Sequence, residues 1–308
     1  MKLHYNISKK FNFKNPVVTV GAFDGVHLGH KKIASTLVEK AKEINGESVI
    51  ISFFPHPRTV LNPNSKSIQL ITSQKEKFFM LQNLGIDHLV ILPFTNEFSQ
   101  ISYKQFVEDY ICKLFKTHTL VIGYDHQFGK EREGNYEQLL VLSKELKFNV
   151  EQIPALDMQN IAVSSTKVRE ALNEGNVTLA KQYLGHEYFI VGKIIKGNRI
   201  GNTIGYPTAN VNFDEKLKLL PANGVYAVLV KYKDQLLKGM LNVGIRPTIG
   251  ESEKTIEVNI FDFSEEIYKK EICVFFVERM RDELKFSGLE ELTQHLHKDK
   301  ELCLKILR

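Results

Sequence analysis

The stretch PVVTVGAFDGVHLGHKKIASTLVEKA, residues 16–41, joins an apolar run to a helical pattern through a turn rich in glycine. The run VVTV is short and apolar throughout, which predicts a buried strand. Beyond the turn, apolar residues recur at helical spacing, at Ile33, Leu37, Ala41 and Ile44. His27 and His30 stand three residues apart where the predicted strand gives way to the helix. A turn built only for packing has no use for two imidazoles, so this junction is the first candidate site.

The composition sets broad limits on the fold and the partners. With 308 residues the chain is long enough for two domains, and 43% hydrophobic and 25% charged residues are ordinary for a globular protein. The net charge of +5 suits small polyanionic ligands as well as nucleic acid. Because the lysines are spread along the chain and no arginine-rich tail occurs, we expect no nucleic-acid partner.

The cysteines and the apolar runs bear on location. Cys112, Cys273 and Cys303 lie far apart without a CxxC pair, so their spacing predicts neither a zinc site nor a disulfide framework. Such usage suits a reducing compartment. The first 15 residues lack the apolar core of a signal peptide, and no run of about 18 apolar residues occurs. We expect a cytoplasmic protein with no membrane partner.

The first half of the chain continues to alternate short apolar runs with helical patterns. Further strands are predicted at SVIISFF (48–54), HLVILP (88–93), TLVIG (119–123) and FNVEQIP (148–154). Runs that are apolar throughout suit a parallel sheet with helices on both faces. The sequence therefore predicts an N-terminal doubly wound parallel α/β domain.

After about residue 185 the pattern becomes rich in β-strand signals. The runs are EYFIVGKIIKG, GVYAVLVKY, QLLKGMLNVG, KTIEVNIFDF and EICVFFVERM, separated by Gly, Asn and Asp turns. A helical period returns only from Leu289 to about Leu304. We expect a small β-barrel with a C-terminal helix. A boundary near LGHEY gives domains of residues 1–185 and 186–308, and the helical segment before it is expected to pack between the halves.

The position of the two histidines favours phosphate chemistry. Ligands of open α/β sheets bind at the carboxyl ends of strands, where helix N-termini present free N–H groups. Gly21 and Gly29 let the backbone approach a ligand closely, and both imidazoles can donate hydrogen bonds to phosphate oxygens. The alternative is that one histidine packs and the other caps the helix.

A second segment, VSSTKVREALNEGNV (163–177), also favours a phosphate site. It places Ser164, Ser165 and Thr166 at a predicted helix start, with Arg169 one turn in. Ser and Thr cap helices in many proteins, so these three residues alone do not indicate a ligand. A cation near a helix N-terminus opposes the helix dipole unless an anion lies nearby, and a triphosphate would be such an anion.

Four segments together carry a family resemblance: GAFDGVHLGH (21–30), FFPHP (53–57), GYDHQFGKEREGN (123–135) and SSTKVR (164–169). They resemble the adenylyltransferase module of bacterial bifunctional riboflavin kinase/FAD synthetases. HxGH alone marks a broad nucleotidyltransferase superfamily, whereas the four segments in this order are much more specific.

The second half resembles riboflavin kinase along its whole length. The segments that carry this resemblance are GNRIGNTIGYPTANVNF (197–213), GVYAV (224–228), GMLNVGIRPT (239–248), IEVNIFDF (256–263) and ERMRDELKFSGLEEL (278–292). The resemblance implies that riboflavin and ATP give FMN and ADP, and that FMN and ATP then give FAD and pyrophosphate. It implies Mg²⁺ with ATP as co-substrate, and it leaves the oligomeric state open.

For adenylyl transfer, the resemblance implies that His27 and His30 brace the ATP phosphates while Arg169, Ser164, Ser165 and Thr166 hold the departing pyrophosphate. The turn residues expected at the nucleotide are Gly21, Phe23, Asp24 and Gly29. Asp24 either orients the turn or accepts hydrogen bonds within it. The flavin contacts expected in this half are His56, Asp125 and Arg132, while His126 and Gln127 replace a Phe-Arg pair common in the family.

For the kinase, the resemblance implies that Thr208 and Asn210 supply the oxygen ligands that magnesium accepts. The glycines expected at the ATP phosphates are Gly197, Gly201 and Gly205, and the residues expected to cover the flavin are Arg281, Lys285 and Phe286. Glu257 alternates against Ile256 and Val258, so it is either an exposed strand carboxylate or, as the family match favours, a catalytic base inside the barrel mouth.

Two rival functions remain open from the sequence. Asn202 stands where family members often carry Arg, which permits a barrel that binds flavin or regulates without kinase activity. An RNA-binding protein using the basic surface is the other rival, although the chain lacks an RNP-like aromatic motif.

Overall fold

The computed structural model describes residues 1–5, 11–61, 69–123, 127–153, 157–158, 161–196, 204–213, 217–247 and 252–308. The chain forms two compact units, Met1–Ser164 and Ser165–Arg308, and each is described by itself. The boundary between functional modules at residue 185 stays a prediction.

The first unit is built on a six-stranded sheet in the order β1-β4-β3-β2-β5-β6, and every pair of neighbouring strands is parallel. Its strands are β1 (Lys2–His4), β2 (Val17–Val20), β3 (Ser48–Phe54), β4 (His88–Pro93), β5 (Thr119–Gly123) and β6 (Asn149–Ile153). The chain leaves β2 toward β3 on one side and later returns to β5 on the other. The carboxyl ends of β2 and β5 therefore form the topological switch point, where open α/β sheets bind ligands.

Helices cover both faces of this sheet. They are α1 (Leu28–Glu43), α2 (Pro57–Leu61), α3 (Gln74–Asn83), α4 (Asn96–Ser99), α5 (Tyr103–Phe106), which continues as a π-helical segment Val107–Leu114, and α6 (Tyr136–Leu146). A 3-10 turn spans Lys130–Arg132, and β7 (Asp157–Met158) pairs with β8 (Ile161–Ala162). The predicted doubly wound α/β unit is confirmed.

The two faces of the sheet bury separate clusters, which explains the unbroken apolar runs. On one face Val17 and Ile50 pack with Leu37 of α1. On the other face Val18 and Ile51 pack with residues of the π-helical segment and α6. Alternate residues of each strand thus enter different cores, so every position of a central strand is apolar.

The second unit begins with two helices and continues into a closed antiparallel barrel. The helices are α7 (Ser165–Asn173) and α8 (Val177–Leu184). The strand order is β10-β13-β12-β11-β14-β9, closed by pairing of β9 with β10. Its strands are β9 (Tyr188–Ile195), β10 (Ala209–Asn212), β11 (Gly224–Tyr232), β12 (Gln235–Pro247), β13 (Ser252–Ile260) and β14 (Glu271–Arg281).

The C-terminal helix α9 (Leu289–Ile306) packs on this barrel, as the sequence predicts. Met240 and Ala227 of the barrel share a buried cluster with Cys303 of α9 and with Leu307, the residue that follows the helix. The helix α7 is bonded to the segment before β11, where the N–H of Ala222 donates to the carbonyl of Leu172 at 2.9 Å. The helices α7 and α8 therefore lie in the same compact unit as the barrel, whereas the sequence pattern groups their motif with the first half.

Two candidate active sites

The histidine junction, residues 21–30, follows β2 directly at the switch point. His27 is buried and caps α1, with its Nδ1 accepting the N–H of His30 at 3.3 Å. The two imidazoles stack with centroids 3.7 Å apart at 14°, and His30 also stacks on Phe23 at 4.7 Å. The capping role considered from the sequence is therefore present, and it orders the ring pair.

His30 keeps one polar atom without a partner. Its Nδ1 is buried and makes no hydrogen bond within the described part of the chain. Burial, the neighbouring His27 and the ammonium of Lys77 lower the pKa of His30 well below its ordinary value. The ring is therefore neutral near pH 7 and can both donate and accept. A buried polar atom without a partner is costly, so it points to a ligand.

The backbone of the junction is held in an unusual conformation. Phe23 and Val26 have φ of 49° and 41°, a region that costs a non-glycine residue about 1–3 kcal/mol. The carboxylate of Asp24 holds it there by accepting the N–H groups of Ile71 and Thr72 at 3.1 and 3.0 Å. Asp24 is buried and thus ties the junction to the segment before α3, the orienting role considered from the sequence.

The start of α1 also offers backbone donors. The N–H groups of Leu28 and Gly29 have no acceptor among the described residues, as is usual for the first turn of a helix. A Cβ on Gly29 would stand 3.3 Å from the His27 ring, so glycine permits the close stacking. Free amides with the positive end of the helix dipole suit an anion.

Lys77 is a site residue that the sequence analysis missed. It is 3% exposed, and its Nζ donates to the carbonyl of Ala22 at 2.7 Å. A second contact joins it to Ser52 Oγ at 3.4 Å. Lys77 thus places a cation beside the junction and next to His30. The one signal in the sequence is its spacing four residues before the buried Leu81, which sets it on the buried face of α3.

The residues predicted to contact the flavin in this unit belong to segments of the chain outside the histidine junction. His56 sits in the turn before α2, where its Nδ1 accepts the N–H of Arg58 at 3.2 Å. The backbone of Arg132 lies in the 3-10 turn, and Asp125 and His126 fall outside the described residues. Their roles stay predictions.

An aromatic cluster that no motif singled out lies where β3 and β4 end. Phe53 and Phe94 meet edge to face at 5.5 Å, and Phe98 lies 5.6 Å from Phe53. All three rings are half-buried. The carboxyl ends of parallel strands share one edge of the sheet, so the cluster lies on the ligand-binding edge of this unit.

The predicted pyrophosphate group falls on the division between the two units. Ser164 ends the first unit, and Ser165, Thr166 and Arg169 lie in the first two turns of α7 in the second. Arg169 is half-buried. Its role at the departing pyrophosphate stays a prediction.

The second candidate site is the barrel cavity, about 300 Å³ in volume. It is lined by residues from the turn before β10, strands β11 to β14, the β14–α9 connection and α9. They are Ile204, Tyr206, Thr208, Val225, Met240, Leu241, Asn242, Glu257, Asn259, Arg281, Glu283, Leu284, Phe286, Leu292 and Leu296. Most of the wall is apolar, with a few polar groups converging on it, which is typical of small-molecule sites.

Glu257 is half-buried in this cavity and is not an exposed strand carboxylate. Its register partners are Asn210 of β10 and Asn242 of β12, so one carboxylate stands between two amides on one face. Ile256 and Val258 are buried on the opposite face, as the alternation predicts.

The predicted flavin residues of the barrel behave differently from one another. Arg281 lines the cavity, but its Nη2 and Nε bond Asp299 of α9 at 2.6 and 3.0 Å. This pair ties α9 over the cavity. Phe286 lines the cavity and packs on His295 with centroids 5.2 Å apart. Lys285 is exposed and lies outside the lining.

Of the three glycines predicted to lie at the ATP phosphates, the structure describes one, Gly205. Gly205 is exposed in a turn with φ of 78°, a conformation that glycine adopts without strain. Gly197 and Gly201, like Asn202, lie outside the described residues. Asn210 is buried in β10, and Thr208 is exposed just before it.

Some residues that line the cavity belong to the segments that resemble riboflavin kinase, although the sequence analysis assigned them no role. The amide of Asn242 donates to Glu283 Oε1 at 3.5 Å, and Asn223 donates to its Oε2 at 3.0 Å. Glu283 therefore adds a second carboxylate to the wall. The hydroxyl of Tyr206 lies 3.2 Å from His297 Nδ1 on α9.

A second cavity of about 240 Å³ has one lining residue in common with the first. Its lining is Ile194, Ile195, Lys196, Pro207, Thr208, Ala209, Val258, Ile260, Phe263, Glu265, Glu266, Ile267 and Tyr268. Thr208 lines both cavities. Two small-molecule cavities that share a lining residue can bring two reactants close to Thr208.

The described residues offer neither a cluster of metal ligands nor a helix that could span a membrane. No group of three or more His, Cys, Asp or Glu side chains there could hold a metal ion. A metal at Thr208 and Asn210 would thus rely on neutral oxygens and on the phosphates of a nucleotide. Among the same residues, every helix is too short or too polar to cross a membrane.

A parallel α/β unit with a histidine-capped helix at its switch point, followed by a barrel with paired cavities, defines a two-domain transferase acting on phosphate compounds. Comparison with protein families makes this specific. Residues 9–167 match the family model for FAD synthetase, and residues 184–307 match the model for riboflavin kinase. The chain belongs to the family of bifunctional riboflavin kinase/FMN adenylyltransferases.

Relatives of that name are similar over nearly the whole chain. The enzyme of Bacillus subtilis is 36% identical over 94% of this chain and 92% of its own. That of Haemophilus influenzae is 35% identical, covering 92% of each chain. That of Escherichia coli strain K12 is 32% identical over 92% of this chain and 90% of its own. The family resemblance and the expected pair of transferase activities are confirmed.

A solved structure shares the fold. It is named as that of a macrolide-efflux protein from Streptococcus pneumoniae and matches with a TM-score of 0.90 at 30% identity, covering 98% of both chains.

Proposed function

We propose that the barrel cavity binds riboflavin, that the second cavity binds ATP, and that the γ-phosphoryl group passes between them at Thr208. The observation that carries this assignment is that Thr208 lines both cavities while Glu257 lines one. A phosphoryl transfer needs its two reactants in contact along a line, and catalysis then rests on positioning and charge.

The barrel cavity suits a neutral aromatic substrate. Its volume of about 300 Å³ lies at the lower end of small-molecule sites, which run to about 1,000 Å³. Apolar side chains such as Met240 and Phe286 can contact an isoalloxazine ring. The two carboxylates, Glu257 and Glu283, disfavour a ligand that is already phosphorylated, because like charges repel.

Glu257 is the proposed general base. It accepts the proton of the ribityl hydroxyl as that oxygen forms a bond to the γ-phosphorus and the bond to the departing ADP breaks. Its register partners, Asn210 and Asn242, flank the carboxylate on the same face of the sheet. Thr208 and Asn210 offer the hard, neutral oxygens that Mg²⁺ accepts beside phosphates. A magnesium ion held there with ATP would neutralise phosphate charge during the transfer.

The histidine junction is the proposed site of adenylyl transfer. The FMN phosphate is itself the nucleophile, so no protein nucleophile is needed. It forms a bond to the α-phosphorus of ATP as pyrophosphate leaves. The neutral His30, the His27 ring and the free amides of α1 would hold ATP oxygens, and Lys77 adds positive charge. Arg169 with Ser164, Ser165 and Thr166 would hold the pyrophosphate.

The aromatic cluster of the first unit is the proposed surface for FMN. Phe53, Phe94 and Phe98 are half-buried at the edge of the sheet where ligands bind. Their rings suit an isoalloxazine, whereas the contacts proposed for His56, Asp125 and Arg132 concern polar groups of the flavin. A cytoplasmic location with riboflavin, FMN and ATP as partners completes the proposal.

One product assay tests both reactions. The protein is incubated with ATP and Mg²⁺ and either riboflavin or FMN, and the flavins are separated by chromatography. We expect riboflavin to give FMN and then FAD, and FMN to give FAD directly. Turnover from FMN alone would contradict the kinase assignment and leave the barrel as a binding module. Binding to RNA that is unaffected by ATP, without turnover of either flavin, would favour the RNA-binding rival.

A further inference from the structure

The turn that carries Thr208 is fixed by a side chain of β13. The described ladder between β10 and β13 pairs Ala209 with Val258 and Asn210 with Glu257. Before Ala209 the chain reaches Pro207, which has a carbonyl but no N–H. Nδ2 of Asn259 donates to this carbonyl at 2.7 Å. The side chain therefore continues the contact between the segments where the backbone ladder ends.

Asn259 is also part of the cavity wall. It is 6% exposed, lines the barrel cavity and pairs in register with Met240, which packs beneath α9. An amide suits this position because it offers a donor for the Pro207 carbonyl. With Ala209 in the ladder on one side and Pro207 bonded on the other, Thr208 is held between two fixed points.

We propose that Asn259 is a positioning residue for phosphoryl transfer: its hydrogen bond to Pro207 keeps the Thr208 hydroxyl at the wall shared by the two cavities. The proposal rests on the assignment of riboflavin and ATP to these cavities. Asn259 acts through the turn, so its loss displaces Thr208 from the phosphates and leaves the flavin wall in place.

Two substitutions separate the hydrogen bond from the volume of the side chain. Asn259→Leu has similar size but no donor. Asn259→His retains a donor, because Nδ1 of histidine lies as many bonds from Cα as Nδ2 of asparagine. The matched control is Asn212→Leu, because Asn212 is exposed in β10 and lines neither cavity.

Five quantities are measured on the full chain: kcat and KM of FMN formation, the Mg²⁺ concentration for half-maximal rate, riboflavin binding by quenching of flavin fluorescence, and FAD formation from supplied FMN. We expect Asn259→Leu to lower kcat about 10–100-fold and to raise the Mg²⁺ requirement, because small misplacements are costly. FAD formation should match the wild type, and riboflavin binding should change much less than kcat. Asn259→His should restore most of kcat.

The outcomes decide the proposal. Wild-type kcat in Asn259→Leu overturns it, and so does loss of riboflavin binding together with kcat, because that would indicate a general part of the wall. If Asn259→Leu does not fold, Asn259→His decides: retained kcat supports the proposal and lost kcat overturns it. A wild-type protein that makes no FMN would instead contradict the proposed function itself.

Discussion

The histidine junction and the barrel cavity are both proposed to handle ATP, yet they are built from different groups. The junction offers imidazoles, backbone amides and the ammonium of Lys77, all suited to an anion. The cavity offers two carboxylates with hydroxyl and amide oxygens, suited to a hydroxyl substrate and a metal. The difference follows the nucleophile: a phosphate needs no base, whereas an alcohol does. Transfer from the γ-phosphorus and transfer from the α-phosphorus of ATP thus require two separate sites.

Among the variants that distinguish the two sites, Glu257→Gln is expected to have the largest effect on activity. The change keeps the shape of the side chain and removes its basicity, so FMN formation should fall about 100–10,000-fold. FAD formation from supplied FMN should continue, because the junction contains no part of β13. Steady-state assays of both reactions measure this, with Glu278→Gln, an exposed carboxylate of β14, as control. Unaltered kinase turnover would rule out Glu257 as the base.

His30→Ala tests the comparison from the other side. Removing a neutral imidazole that is proposed to bind phosphate oxygens should lower FAD formation about 100–1,000-fold, as the loss of one donor to developing charge does. His27→Ala should act similarly, since its ring caps α1 and stacks on His30. The same flavin chromatography reports FMN formation, which should remain near the wild-type rate.

His118→Ala serves as the matched control for these two variants, because His118 precedes β5 at the amino ends of the strands. Equal loss of both activities in a folded His30→Ala protein would contradict the assignment of separate sites.

Arg169→Ala should slow adenylyl transfer about 100-fold, because it removes the cation that is proposed to bind the departing pyrophosphate. Pre-steady-state measurement of FAD formation would show the loss in the chemical step. Lys181→Ala, which removes an exposed cation from α8, is the control. Normal turnover of the Arg169 variant would leave SSTKVR as a helix start without a role in catalysis.

Lys77→Met is expected to have the smallest effect. Losing the contact to Ala22 should slow FAD formation about tenfold, a change of about 1.4 kcal/mol. Burial and the neighbouring His27 lower the pKa of His30 and the ammonium lowers it further, so removal of the ammonium should raise that pKa. The acid side of the pH–rate profile should therefore move to higher pH. Lys75→Met, at an exposed position of α3, controls for the helix. An unshifted profile would contradict the electrostatic link to His30.

Much of the architecture follows from the order of residues alone. Runs such as VVTV and SVIISFF are apolar at every position, so they predict strands buried on both faces, and both pack into two cores. The spacing of His27 and His30 after such a strand located the junction. The family motifs pointed to Glu257 and Thr208 because those residues occur at fixed places within recognisable segments.

The tertiary structure decided which of these residues meet and which others join them. Lys77 reaches Ala22 across 55 positions, and Asn259 reaches Pro207 across 52. Arg281 is bonded to Asp299, which no local pattern predicts. Strand register, barrel closure and helix packing set such contacts, and these depend on the whole chain. Local periodicity fixes what a segment becomes, whereas the partners of a buried polar group are fixed only when distant segments pack together.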